Sequence, residues 1–164
     1  MGIAALEEKY QLLLQKEITD SACLLRYADQ AGAVQSEMRE ILAQLTPQLC
    51  NDCESKCCEG FPVEGWFSLE DYALFRVKFG IPALPTNHVK RDTACSFLTP
   101  TGCSLTENLR PFPCVKVNCG ILKESLIVLG KLQRFNQLKD ILDTIQWELH
   151  QLITKNNLIP SPYK

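Results

Sequence analysis

A chain of 164 residues with 46% hydrophobic and 22% charged content carries enough apolar material for one ordinary core, so a second domain is not required. A formal net charge of −2 and a pI near 5.7 give no field that would draw a phosphate backbone or an anionic membrane over long range. No run approaches the roughly 20 apolar residues of a membrane span, so the sequence argues against both nucleic acid and membrane as partners.

Residues 1–48 read as a helical arm. Apolar residues recur at helical spacing through Leu6, Tyr10, Leu13, Leu14 and Ile18, then Val34, Met38, Ile41 and Leu45. The pattern predicts one long helix or two in series, jointed at Asp29-Gln30-Ala31-Gly32, where the apolar register changes and Gly costs about 1 kcal/mol against Ala. Cys23 reads as a small core side chain. The first residues have neither a basic run leading into an unbroken apolar stretch nor a cleavage-like site, so the expected location is cytoplasmic.

Residues 49–120 are expected to be a cysteine-rich region with little regular structure. Within it, Ser68-Leu-Glu-Asp71 has the signature of a helix start, which predicts a short helix over 69–79 ended by Gly80. Trp66 and Phe67, just before it, read as core or staple residues. From 81 to 118, Pro82, Pro85, Pro100, Pro111 and Pro113 break up any periodicity, which predicts loop.

Residues 121–155 return to helical spacing. Phe135, Leu138, Leu142, Ile145, Leu149 and Leu152 form a stripe spaced by threes and fours, expected to pack on the N-terminal arm or to form a homodimer seam. His88 reads as a loop histidine, and His150, beside the stripe, has no companion in sequence. The fold expected is therefore mainly α, in a single domain of residues 1–164: long N- and C-terminal helices flanking an irregular cysteine-rich metal-binding region.

Nine cysteines are the outlying count, and eight of them fall between residues 50 and 119. In a reducing compartment such density favours metal ligation over disulfides. Cys50-Asn-Asp-Cys53 aims two thiolates from one tight turn at a common point, and Cys57 extends the turn by a third ligand. Cys58 diverges from its neighbour Cys57, which points to a second site. Cys95, Cys103, Cys114 and Cys119 complete a set of eight, enough for two tetrahedral sites or iron–sulfur clusters.

A natural division gives Cys50, Cys53 and Cys57 plus one later thiol to one site, and Cys58 with the remaining three to the other. Zinc and iron, the latter also as [4Fe-4S], both accept four thiolates, and spacing does not separate them. Four thiolates on a divalent ion carry formal charge −2, which makes Arg110 a candidate to donate hydrogen bonds to the sulfurs; Lys56 and Lys116 are candidates to offset the charge.

The Cys-x-x-Cys-x-x-x-Cys-Cys run, followed by Cys95-x-Phe97-Leu98, Gly102-Cys103 and Arg110-Pro111-x-x-Cys114, resembles the YkgJ-type cysteine-cluster proteins. The resemblance covers the middle of the chain. It departs at Val115, where relatives often carry Arg, and in the longer Ser-Leu-Thr-Glu-Asn-Leu gap after Cys103. It implies a zinc- or iron-chelating protein. Flagellin lysine methylase is similar in carrying this type of cluster, which adds a redox or methyl-transfer enzyme as an alternative. A zinc-stapled module that binds a protein partner through its helices is the third expectation. No Gly-rich nucleotide loop and no Ser-His-Asp arrangement points to another chemistry.

Overall fold

The computed structural model describes residues 3–15, 21–45, 67–80, 98–99, 102–103, 110–116 and 119–155. The chain is mainly helical: α1 (Ile3–Gln15), α2 (Ser21–Ala43), α3 (Leu69–Phe79), α4 (Phe112–Lys116), α5 (Gly120–Val128) and α6 (Leu132–Thr154). Strands β1 (Leu98–Thr99) and β2 (Gly102–Cys103) pair antiparallel, with Leu98 opposite Cys103.

Helix α3 is the centre of the bundle. It packs against α1, α2 and α6, and every residue from Leu69 to Phe75 is buried, including Glu70 and Asp71. Its start follows the sequence signature: the Ser68 hydroxyl accepts the Asp71 N–H at 3.1 Å, and the Asp71 carboxylate accepts the Ser68 N–H at 3.3 Å. Its end is Gly80, at φ 68°, whose N–H returns to the Arg76 carbonyl at 3.0 Å.

Around this rod, α1 buries Leu6, Tyr10 and Leu13, and α2 buries Leu24, Ala28, Ala31, Gln35, Met38 and Ile41. The joint expected at Asp29–Gly32 is corrected: α2 runs through it without a break, from Ser21 to Ala43. Burial of Ala28, Ala31, Gln35 and Met38 keeps one continuous face through Gly32, so packing overrides the intrinsic cost of the glycine. Cys23 is also corrected, since it is half-buried, with Arg26 Nη2 3.7 Å from its sulfur.

The C-terminal helical stretch divides in two. Gly130, at φ 68°, sends its N–H to the Ile127 carbonyl while Lys131 N–H reaches the Leu126 carbonyl, both at 2.9 Å. This pair of bonds is a Schellman stop, and it ends α5. In α6 the stripe Phe135, Leu138, Leu142, Ile145 and Leu149 is buried as expected, facing α2 and α3 of the same chain. The last position is Ile153 rather than Leu152, because a straight helix of about 3.6 residues per turn returns to the azimuth of Phe135 at 153. Arg134 on α6 also grips Glu37 on α2 through two bonds, of 2.6 and 2.7 Å.

Short helix α4 lies in a stretch expected to be loop. Pro111 and Pro113 suit its entry, where the first N–H groups have no helical acceptor. The Cys114 N–H closes the turn on the Pro111 carbonyl at 2.9 Å.

Candidate functional site

The turn that carries Cys114 is fastened to three helices. Phe112, fully buried, donates its N–H to Asp71 Oδ1 on α3 at 2.8 Å. Lys116 pairs with Asp143 on α6 and donates to Gln146 Oε1 at 3.0 Å, and its ammonium also lies 5.4 Å from the Phe112 ring centroid. On α2, Gln35 exchanges two bonds with the main chain of Arg110: Oε1 accepts its N–H at 2.9 Å and Nε2 donates to its carbonyl at 3.0 Å. Lys116, a candidate for offsetting thiolate charge, is thus engaged by a carboxylate.

Phe112 and Lys116 are four apart and share the inner side of α4, whereas Cys114, two residues from each, is exposed. Cys119 caps α5: its sulfur accepts the Leu122 N–H at 3.4 Å, and it too is exposed. Arg110 is the third expected site residue on the described surface. Its Nε is buried with no hydrogen-bond partner among the described residues. Cys103 is placed only as the strand residue opposite Leu98. Cys50, Cys53, Cys57, Cys58 and Cys95, together with Lys56, Trp66 and His88, lie outside the described residues, and among the described residues no three His, Cys, Asp or Glu side chains converge as a metal would require.

Two buried acids carry electrostatic weight. Burial pushes the Asp71 carboxyl up to about 6, against the hydrogen bonds from Phe112 and Ser68 that favour its charged form. Glu70 Oε1 lies 2.9 Å from His150 Nδ1, so His150, which the sequence left without a companion, has one on the central helix. Glu70, Asp143, Gln146, Trp147 and His150 line an open pocket of about 260 Å³, with the exposed Trp147 stacked on the imidazole at 6.5 Å. No sequence signal joined Glu70 to His150, which are 80 positions apart.

At α1, burial raises Glu7, but hydrogen bonds from Tyr72 at 2.6 Å, Arg76 and Gln11 outweigh it and hold the carboxyl below its usual range. This network ties α1 to α3.

The chain matches no family model, no curated protein and no solved structure. Among the described residues no helix is long and apolar enough to cross a membrane.

Proposed function

We propose that this is a cytoplasmic metal-binding protein that chelates zinc or iron, the iron as ions or as a [4Fe-4S] cluster. Cys50, Cys53, Cys57, Cys58, Cys95, Cys103, Cys114 and Cys119 are the ligands, and the helices before and after residues 49–120 are the arms that carry them. The observation that carries this reading is the density and spacing of eight thiols within one stretch of the sequence. The resemblance to YkgJ-type proteins supports it.

The structure offers a test of fit in the buried Arg110 Nε–H, a cationic donor with no acceptor among the described residues. That is the complement a cluster of thiolates calls for. The exposed Cys114 and Cys119 are consistent with ligands presented from a rigid base. A bound zinc would close the cysteine stretch, contributing on the order of 10 kcal/mol to its folding; an iron–sulfur cluster would supply an electron acceptor.

One observation favours a second reading, the zinc-stapled interaction module. Helix α5 leaves Ile121, Ile127 and Val128 exposed at 59%, 55% and 89%. The stripe on α6 is buried within the chain, so the apolar residues of α5 are the surface this reading would use.

The deciding experiment is metal and acid-labile sulfide content, with an absorption spectrum, on protein purified without oxygen. Iron with sulfide and visible absorption brings redox or methyl-transfer chemistry forward. Colourless protein with about two zinc ions per chain makes the metal a staple. Full-length protein holding neither metal, with its thiols all titratable, rejects the reading. A Cys53→Ser variant then separates roles: joint loss of metal and fold marks a structural ion.

A further inference from the structure

Gln35 occupies a place on α2 where an apolar side chain is the ordinary choice. It is 2% exposed, on the face that also buries Ala31 and Met38. Its carboxamide reaches a residue 75 positions away, accepting from Arg110 N–H and donating to Arg110 C=O. The two bonds reproduce the paired exchange between facing residues of antiparallel strands, and they use only main-chain atoms of Arg110.

Those bonds leave the side chain out. Its Nε is buried and, among the described residues, has no partner. A buried donor without an acceptor is uncommon in a folded protein. An anionic acceptor such as a thiolate would pair with it. Cys114 follows four residues later, across a stretch stiffened by Pro111 and Pro113 and anchored through Phe112 to Asp71.

We infer that Gln35 is a positioning residue of the thiol site: by fixing the Arg110 main chain it holds the buried Nε–H as a donor for a thiolate of the cysteine set. This rests on the metal-binding reading above. In the metal-loaded protein the donor to the sulfur would be Arg110, and Gln35 acts through Arg110 alone.

The test uses the full chain loaded with Co²⁺ in place of the native metal, reading stoichiometry, the sulfur-to-cobalt charge-transfer band and the rate of release to a chelator. Arg110→Lys keeps the charge but loses the Nε–H. Expected are unchanged stoichiometry, a band moved to lower energy because the sulfur lone pair has lost a hydrogen bond, and release about 10- to 100-fold faster. Gln35→Ala should do the same, and the double variant should release no faster than Arg110→Lys alone, since both act on one donor. Gln35→Glu keeps the acceptor for Arg110 N–H and should restore part of the band position; helical circular dichroism confirms that each variant is folded.

Wild-type protein that binds no Co²⁺ overturns the metal-binding reading and this inference with it. Wild-type binding with band and release unaltered in Arg110→Lys and Gln35→Ala overturns the inference alone. Additive acceleration in the double variant does so too, because Gln35 would then be supporting the bundle and not Arg110.

Discussion

The Asp71 carboxylate accepts the Phe112 N–H at 2.8 Å while also closing the cap of its own helix on Ser68. One side chain thus starts α3 and docks the cysteine-bearing turn to it. Asp71→Ala removes the acceptor for both segments and leaves buried N–H groups unpaired. A loss of about 2–4 kcal/mol is expected in chemical denaturation, more than a surface cap alone costs.

The same residue sets a pH dependence. Because burial raises its pKa to about 6 from 3.8, the folded state binds this proton more tightly than the unfolded chain. Its contribution to stability is complete below about pH 4 and is lost as pH rises through 6, by about 3 kcal/mol. Glu7 has the opposite sign: its lowered pKa adds stability above about pH 4.5 that disappears on acidification. Denaturation from pH 4 to 7.5 should show the wild type losing stability relative to Asp71→Asn as pH rises; a difference independent of pH would mean that Asp71 does not titrate there.

On α6, Ile153→Ala should cost about 2–5 kcal/mol, as a fully buried residue, whereas Leu152→Ala, on the half-exposed face, should cost roughly 1 kcal/mol or less. Equal losses would return the end of the stripe to 152.

Gly130 ends α5 at positive φ, and a Cβ there would meet nothing within 4 Å. Gly130→Ala should therefore show only the backbone cost of the left-handed region, about 1 kcal/mol. A much larger loss, read as a shift in denaturation midpoint, would point to a tighter junction between α5 and α6.

His150→Ala leaves the Glu70 carboxylate buried without its imidazole, and a cost of about 1–3 kcal/mol is expected. His150→Gln keeps a donor within reach and should recover part of it. The pair of variants separates the hydrogen bond from simple loss of bulk.

What the sequence disclosed follows a physical divide. The cap at Ser68, the stop at Gly80 and five of the six stripe positions on α6 depend on neighbours within a turn or two, and local pattern reports them. Helix α3 is different. Its seven consecutive buried residues show no apolar face, because the helix is surrounded, and Glu70 and Asp71 look from sequence like first-turn acids. Their partners, His150 and Phe112, come from other elements, as does the partner of Gln35. The misplaced joint in α2 has the same origin, since Gly32 is a local warning that tertiary packing overrules. For the proposed thiol site, spacing could nominate the eight cysteines and Arg110, but not the main-chain clamp on Arg110, which no side-chain pattern encodes.

That clamp makes two decisions separable. Since Gln35 grips only peptide atoms, it would seat any non-proline residue at position 110 equally well. The bundle therefore provides a socket, and the side chain at 110 is an interchangeable fitting. A lysine, a histidine or a neutral residue there would present a different head group to the same locus without asking the helices to be rebuilt.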